Sequence, residues 1–212
     1  MNTVIFDLGG VLIDWNPRPA LRARLQDKGL PGSDADIEAF LKGPFKKLHW
    51  LAHDSKAPFT ESLGPHLKSQ NEHAHFIEVM IEKWNDFVRE PIAGTVALLD
   101  RLAQTKTRLY GLSNWPAQTW PPGGHQRAQD FGFLNHFADI IVSGEVGLRK
   151  PDPAIFHLAR ERFAVDPQET LFVDDLEENI RVARELGFAA HLFETPQGLE
   201  KDLIAQGFLK QS

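Results

Sequence analysis

The chain has 212 residues, of which 42% are hydrophobic, so it can bury one large core or a core with an insertion. Its 29 acidic and 23 basic residues give a net charge of −6, which disfavours nucleic acid as a partner, and it has no cysteine for disulfides or thiolate chemistry. No segment has the apolar length of a membrane span or the pattern of a signal peptide, so we expect a cytoplasmic protein with no membrane partner, whether monomer or dimer.

Five short apolar runs are typical of strands buried in a parallel sheet. They are residues 3–6, 108–113 (RLYGLS), 139–143 (DIIVS), 170–174 (TLFVD) and 189–193 (AAHLF). Helical patterns lie at 92–104, at 153–163 after Asp152, and at 177–186, where Gly187 ends the pattern. Strands that alternate with helices predict an α/β fold with a doubly wound parallel sheet, in which functional residues collect at the carboxyl ends of the strands.

Residues 15–89 break this alternation. They contain helical patterns at 17–28, at 34–42 after Ser33, at 45–53 and at 71–88, and no convincing strand. Such a block between the first strand and the rest of the sheet indicates an insertion. We therefore expect a core domain formed by residues 1–14 and 90–212, and a helical cap formed by residues 15–89 that covers the end of the first strand.

Polar side chains follow the predicted strands. They are Asp7, Ser113 with Asn114, Lys150, and the pair Asp174 and Asp175. In a parallel sheet these groups emerge at one edge, where they combine a carboxylate nucleophile, a hydroxyl, a fixed cation and acids that can bind a metal. A phosphate dianion repels a carboxylate, so attack by Asp7 needs positive charge, which Lys150 and a hard divalent cation would supply. The set predicts phosphoryl transfer.

Four stretches, "FDLGGVL", "LYGLSN", "GLRKPDPAIF" and "FVDDLEENIRVARELGF", resemble in order the four motifs of the haloacid dehalogenase (HAD) superfamily. The resemblance spans nearly the whole chain and is closest to the branch whose helical cap follows the first strand. It implies a Rossmann-like core with a tight turn and a hairpin flap after Asp7. It also implies a Mg²⁺-dependent phosphatase that acts on a small phosphorylated metabolite.

The resemblance assigns a role to each strand-end residue. Asp7 would be the nucleophile that forms an aspartyl-phosphate, Ser113 with Asn114 would bind the phosphoryl group, and Lys150 would neutralise charge. Asp175 would bind Mg²⁺ together with Asp7, with Asp174 as a further ligand or as a partner behind it. Asn179 stands where many relatives have another carboxylate.

Gly9 departs from the pattern, because most phosphatases of the superfamily have there a second aspartate that protonates the leaving oxygen. Glycine keeps the backbone carbonyl through which this position also binds the metal, so a Mg²⁺ site of Asp7, Gly9 and Asp175 is still expected. Loss of a positioned acid slows a reaction by roughly 10²- to 10⁴-fold without abolishing it. The DLGxV form is also found in a branch that resembles sugar-1-phosphate phosphatases. Gly9 therefore favours substrates with an acidic leaving oxygen, such as anomeric sugar, acyl or aryl phosphates.

Other interpretations stay open at this point. Acids at a helix N-terminus, as at 174–178, are stabilised by the helix dipole without a metal. The histidines of the cap, among them His49 and His53, are expected to be ordinary partly exposed or core residues, although they or Asp14 could replace the missing acid. Two other functions remain as alternatives: a metal-free 2-haloacid dehalogenase, against which Gly9 and Asp175 count, and a non-catalytic ligand-binding module, which only Gly9 supports.

Overall fold

A five-stranded parallel sheet lies at the centre of the structure, a computed structural model that describes residues 1–29, 33–54, 57–69 and 73–211. In chain order the strands and helices are β1 (Thr3–Phe6), β2 (Ile13–Trp15), α1 (Arg18–Asp27), α2 (Asp34–Lys42), α3 (Pro44–Asp54), α4 (Phe59–Ser62), α5 (Gly64–Ser69), α6 (Ala74–Glu82), β3 (Val88–Pro91), α7 (Ala93–Ala103), β4 (Arg108–Ser113), β5 (Asp139–Val142), α8 (Ser143–Val146), α9 (Pro153–Arg162), β6 (Thr170–Asp174), α10 (Glu177–Glu185), β7 (Ala189–Leu192) and α11 (Pro196–Ala205).

The sheet has the strand order β5-β4-β1-β6-β7, so β1 is its central strand. Every residue of β1 is buried, because helices cover both faces of the sheet. Alternate side chains enter different cores: Val4 and Phe6 pack on the face covered by α7 and α11, and Ile5 packs on the face covered by α9 and α10. The predicted α/β class with a Rossmann-like doubly wound sheet is confirmed, and all five predicted strands are present.

Helices α1–α6, called the helical block below, occupy the chain between β2 and β3. The block has its own core, in which aromatic side chains such as Phe40, Phe76 and Trp84 are buried. Helix α2 begins after Ser33 as predicted, with a capping box between Ser33 and Asp36. No helix among the described residues has the length and apolar character that spanning a bilayer requires.

The predicted helix at 71–88 is wrong in its second half. Residues 71 and 72 lie outside the described residues, α6 ends at Glu82, a 3-10 turn follows at Trp84–Phe87, and Val88 begins a strand. The reason is tertiary, because β3 pairs antiparallel with β2 and so joins the two ends of the helical block. In this pairing Trp15 of β2, the predicted flap strand, lies opposite Val88, which is 73 positions further along the chain.

Hydrogen bonds tie the two ends of the helical block to each other and to the core. The backbone N–H of Asn16 donates to the carbonyl of Phe87 at 2.8 Å. The Arg127 guanidinium donates to the carbonyls of Val88 at 2.6 Å and of Arg89 at 2.9 Å. The division into a core and a cap at residues 15 and 89 stays a prediction, and both positions fall in this paired ribbon.

Residues of α3 and α4 also contact the core. The Arg149 guanidinium lies 4.4 Å from the ring centre of Trp50 in α3, within the range of a cation–π interaction. The backbone N–H of Phe59 donates to Oε1 of Gln118 at 3.3 Å. The block is therefore held at its ends by backbone pairing and at α3 and α4 by weaker side-chain contacts.

Candidate active site

The carboxyl ends of β1, β4 and β6 open into a cavity of about 230 Å³ that the helical block covers. Its charged lining residues among those described are Asp7, Lys150 and Asp175, and we call these three, with Asp174 directly beneath, the charged floor. On the other side the cavity is lined by an aromatic roof, which consists of Trp15, His49, His53 and Trp84. The structure thus brings most of the predicted strand-end residues to one place.

Asp7 ends β1 and its side chain is almost fully buried. Its backbone N–H donates to the carbonyl of Val173 at 2.8 Å, which continues the pairing of β1 with β6 by one residue. Its carboxylate Oδ1 accepts from the backbone N–H of Leu8 at 2.7 Å and lies 2.9 Å from Nζ of Lys150. Both of these contacts, made by described residues, end on Oδ1.

Lys150 is completely buried, with its ammonium 2.9 Å from Asp7 and 2.7 Å from Asp174. Asn114 fixes the lysine's backbone: the Lys150 N–H donates to Oδ1 of Asn114, and Nδ2 of Asn114 donates to the Lys150 carbonyl, both at 2.9 Å. Asn114 lines the cavity, but both ends of its amide are engaged in this pair. Its observed contacts therefore position Lys150.

The two acids after β6 have different surroundings. Asp174 is fully buried: its Oδ2 binds Lys150, and its Oδ1 accepts from the Leu176 N–H at 2.9 Å and from Nδ2 of Asn179 at 2.8 Å. Asp175 is partly exposed and lines the cavity. Asp174 is thus a partner that holds Lys150, while Asp175 faces the space above.

Burial and the charges of neighbouring groups shift the pKa values of Asp7, Asp175 and Lys150. Burial, with a contribution from Asp174 and Asp175, raises the pKa of Asp7 to about 7 although Lys150 opposes the shift. Burial and Asp174 raise the pKa of Asp175 to about 6. For Lys150, burial favours the neutral form, but Asp174 and Asp7 outweigh it and raise the pKa above its ordinary value. The three acids together carry more negative charge than one lysine balances.

The charged floor fits a hard divalent cation. Asp7, Asp174 and Asp175 each offer a carboxylate oxygen, and these atoms lie within 4.8 Å of one another. Asn179 is buried beside them, and its Oδ1 has no hydrogen-bond partner among the described residues. A cation would relieve the repulsion that raises the two aspartate pKa values.

The two glycines after Asp7 differ in the room around them. A Cβ at Gly9 would contact only Cβ of Trp15, at 3.8 Å, so this position has space for a side chain and is still glycine. Gly10 has a φ of +79°, and a Cβ there would overlap the carboxylate of Asp175. Gly10 lines the cavity but was not among the predicted site residues, although the Gly-Gly pair that follows Asp7 and Leu8 was an available signal.

Some predicted site residues lie elsewhere. Ser113 ends β4 with a buried side chain and is not among the described residues that line the cavity. Asp14 is about half exposed, lies 3.5 Å from Arg89 and does not line the cavity either.

His49 is partly exposed and His53 is buried, within the expectation for the cap histidines, and both rings also line the cavity. His53 is 3% exposed, its ring centre lies 4.0 Å from that of His49, and His49 stacks on Trp84 at 5.5 Å. Burial lowers the pKa of His49 to about 4, and burial with His49, Arg149 and Lys150 lowers the pKa of His53 well below its usual value. The i, i+4 spacing placed the two rings on one face of α3, but only the packing of α3 shows that this face meets the cavity.

Known proteins resemble this chain over most of its length. The haloacid dehalogenase-like hydrolase family matches residues 1–187. The sesquiterpene phosphatase astK of Aspergillus oryzae is 28% identical over 86% of this chain and 85% of its own length. The D-ribitol-5-phosphate phosphatase of Bacteroides thetaiotaomicron is 26% identical over 89% of each chain. A solved HAD family enzyme from the same bacterium, in complex with magnesium and inorganic phosphate, is 25% identical, with a TM-score of 0.65 over 92% of this chain and 94% of its own. This chain belongs to the haloacid dehalogenase-like hydrolases.

Proposed function

We propose that the protein is a Mg²⁺-dependent phosphatase that hydrolyses a small phosphorylated metabolite through an aspartyl-phosphate on Asp7. The observation that carries the proposal is the arrangement of the charged floor, in which Oδ1 of Asp7 is 2.9 Å from Nζ of Lys150 and Asp175 faces the same cavity. Two relatives that align along nearly their whole length carry phosphatase names, which supports the same reaction class. We further propose that residues 15–89 act as the cap of this site.

Asp7 attacks the phosphorus atom through Oδ2, since Leu8 and Lys150 hold Oδ1 and fix the plane of the carboxylate. Lys150 keeps its proton, because two carboxylates flank it, and its positive charge offsets that of the incoming phosphate. Asp174 holds the ammonium in place from behind. We assign to Ser113 the predicted contact with a phosphoryl oxygen, which requires its buried hydroxyl to become accessible when substrate binds.

Asp7, Asp175 and the backbone carbonyl of Gly9 are the groups that would hold Mg²⁺, with Asn179 behind them. When bound, Mg²⁺ supplies the positive charge that draws the phosphate dianion toward a carboxylate. In this arrangement Asp174 is a positioning residue, because both of its oxygens already accept hydrogen bonds from other groups. Burial and Asp174 raise the pKa of Asp175 to about 6, so the carboxylate is still mostly ionised at pH 7 and can serve as a ligand.

The missing acid at position 9 has no replacement among the residues considered. Asp14 is half exposed beside Arg89, and His49 and His53 are neutral near pH 7 with weakened affinity for a proton. The leaving oxygen therefore departs with little assistance from the protein. This supports the prediction that substrates with acidic leaving oxygens, such as aryl or acyl phosphates, react fastest.

A screen with three substrate types tests the function. Acetyl phosphate, 4-nitrophenyl phosphate and 2-chloropropionate are each offered with Mg²⁺ and with chelator, and phosphate and chloride release are measured. We expect phosphate release with Mg²⁺ only, and intact-mass analysis after acid quench should show one added phosphoryl group on the wild-type chain and none on Asp7→Asn. Chloride release in chelator would establish the dehalogenase instead, and inertness toward all three would favour the binding module.

The substrate is the least constrained part of the proposal. One relative is named as a sesquiterpene phosphatase and the other as a D-ribitol-5-phosphate phosphatase. The organic groups in these two names differ in polarity. The sugar phosphate that the DLGxV motif suggested stays a prediction. The 2-haloacid dehalogenase among the structural neighbours is 22% identical with a TM-score of 0.56, a likeness of fold alone.

A further inference from the structure

The cavity has two halves of different chemistry. The carboxylates and the ammonium among its described lining residues all belong to the charged floor. The aromatic roof offers indole and imidazole rings, and the side chains of Trp115, Pro116 and Leu176 extend the apolar surface at the rim. A phosphate ester bound with its phosphoryl group at Asp7 would therefore place its organic group against rings.

The aromatic roof carries no fixed charge. His49 and His53 are its only titratable members, and burial lowers the pKa of both, so they are neutral near pH 7. The groups that face His53 from other elements include Arg149 and Lys150, which disfavour its protonation further. A carboxylate or ammonium on the substrate would find no partner in this half and would lose its hydration there.

The aromatic roof also has little capacity for hydrogen bonding. Nδ1 of His53 and Nε1 of Trp84 are buried without a hydrogen-bond partner among the described residues. The two residues are only 3% and 2% exposed, respectively. Solvent does not reach either atom, so the ring nitrogens of Trp15 and His49 are the ones that the aromatic roof can offer to a ligand. A polyol chain has several hydroxyls and would leave most of them unpaired, a loss that stacking on the rings does not replace.

The mouth of the cavity is apolar as well. Leu176 lines the cavity and is 42% exposed, one of two large hydrophobic side chains that are exposed in the described part of the chain. It follows Asp175 directly, so an apolar group is presented beside the proposed metal ligand. This placement suits a ligand that covers Leu176 when it binds.

We propose that the substrate is the phosphate monoester of an uncharged, predominantly apolar organic group, held between the aromatic roof and Leu176. The inference rests on the proposed phosphatase function and specifies its substrate class. The cavity of about 230 Å³ lies below the usual range of roughly 300–1,000 Å³ for ligand pockets, which restricts the organic group to about the size of one ring.

Binding of phosphonates, which the enzyme cannot hydrolyse, tests the proposal without turnover. Calorimetry with Mg²⁺ compares benzylphosphonate, methylphosphonate and 2-amino-3-phosphonopropionate. We expect benzylphosphonate to bind at least about tenfold more tightly than methylphosphonate, with a negative heat-capacity change, and the charged amino acid analogue to bind most weakly. Equal affinity of the benzyl and methyl compounds, or tighter binding of the charged one, would overturn it.

A charge introduced at the rim should reverse part of this preference. In Leu176→Lys the ammonium can pair with the carboxylate of the amino acid analogue, and the ratio of benzylphosphonate to amino acid affinity should fall at least about threefold. Leu176 is already exposed, so the change is compatible with folding. Gln168→Lys adds the same charge at the opposite end of β6 and should leave the ratio as in the wild type. The same ratio in both variants would mean that Leu176 does not contact the organic group, contrary to the proposal.

Measured hydrolysis of two esters distinguishes a failure of the proposed substrate class from a failure of the proposed phosphatase function. Benzyl phosphate and D-ribitol 5-phosphate both have primary alkyl leaving oxygens, so leaving-group acidity contributes little to the comparison, and we expect the benzyl ester to have the lower KM. Phosphonate preference without turnover of any ester would refute the phosphatase and leave the assignment of the aromatic roof intact. Turnover with equal or better use of the ribitol ester would refute the substrate class and leave the phosphatase intact.

Discussion

The charged floor and the aromatic roof enclose one cavity but are built in different ways. In the charged floor, Lys150 is held by Asp7, Asp174 and the amide of Asn114. In the aromatic roof, rings pack on rings, and nitrogen atoms of His53 and Trp84 have no hydrogen-bond partner among the described residues. The first arrangement fixes the positions of ionised groups, and the second forms an apolar surface. Variants of the charged floor test whether its role in turnover is independent of ligand binding by the aromatic roof.

The largest effect should come from the charged floor. Asp7→Asn removes the nucleophile and keeps the side chain's shape, so kcat on acetyl phosphate should fall by roughly 10⁴-fold or more. Binding of benzylphosphonate should persist if the aromatic roof acts separately. Steady-state phosphate release and calorimetry measure the two properties on the same variant. Substantial turnover by Asp7→Asn would contradict the assignment of the nucleophile.

Gly10→Ala should damage the charged floor without changing any of its charges. The added Cβ meets a backbone with φ of +79° and overlaps the Asp175 carboxylate, which must move. We expect a loss in kcat of about 10²-fold and a higher Mg²⁺ concentration for half-maximal activity, since a displacement near 1 Å at a reacting group has such consequences. Gly132→Ala, where a Cβ meets no atom within 4 Å, is the matched control. Equal activity of the two variants would show that Asp175 is free to shift.

Gly9→Asp should add to the charged floor an acid that can protonate the leaving oxygen. Position 9 has space for a side chain, with only Cβ of Trp15 at 3.8 Å from an added Cβ. We expect kcat on benzyl phosphate to rise by about 10- to 100-fold relative to 4-nitrophenyl phosphate, because an acid helps poor leaving groups most. The double variant Asp7→Asn with Gly9→Asp should lose this gain. No change in the ratio would mean that the leaving-group hypothesis is wrong.

Burial of Asp7 and Asp175, together with repulsion between the carboxylates, predicts a pH dependence of stability in chelator. The ordinary pKa of an aspartate is 3.8, which we take for the unfolded chain, whereas the pKa of Asp7 in the fold is about 7. The folded protein therefore binds a proton at Asp7 more tightly than the unfolded chain does. The free energy of unfolding therefore falls as pH rises from about 4 to about 7, and the pKa of Asp175, raised to about 6, acts in the same direction. Tm in chelator should be several degrees lower at pH 8 than at pH 5, and Asp7→Asn should reduce the difference. A Tm of the wild type that is flat or rises over this range would contradict the shift.

The smallest effect is expected at Asp14. Its carboxylate is half exposed beside Arg89 and does not line the cavity, so Asp14→Asn should change kcat on any ester by less than about twofold. Activity on benzyl phosphate measures this directly. A loss of kcat beyond about tenfold would identify Asp14 as the missing acid. The paired strands β2 and β3 would then contribute a residue to the reaction.

The sequence was sufficient for the sheet and for most of the charged floor. Continuous apolar runs predict buried parallel strands, and residues after such strands meet at one edge whatever lies between them, which is why Asp7, Lys150 and Asp175 could be named together. The sequence was less informative about partners. Nothing local indicates that Asn114 binds the backbone of Lys150, 36 positions along the chain.

The aromatic roof could not be predicted because it depends on how helices pack. His49 and His53 share one face of α3, but the pattern does not say whether that face meets the core of the helical block, solvent or a cavity. Short helices α4 and α5 lack a periodic pattern long enough to identify. Strand β3 has two exposed residues in its four, and its strand character comes from pairing with β2.

The clamp by Arg127 has a consequence for how substrate reaches the cavity. Arg127 holds the carbonyls of Val88 and Arg89 to the core, and Asn16 pairs with Phe87 just beyond, so the two chain crossings lie side by side. A body attached at two adjacent points turns about the line that joins them. A rotation of the helical block about that line would have to break the contacts of Arg149 with Trp50 and of Phe59 with Gln118.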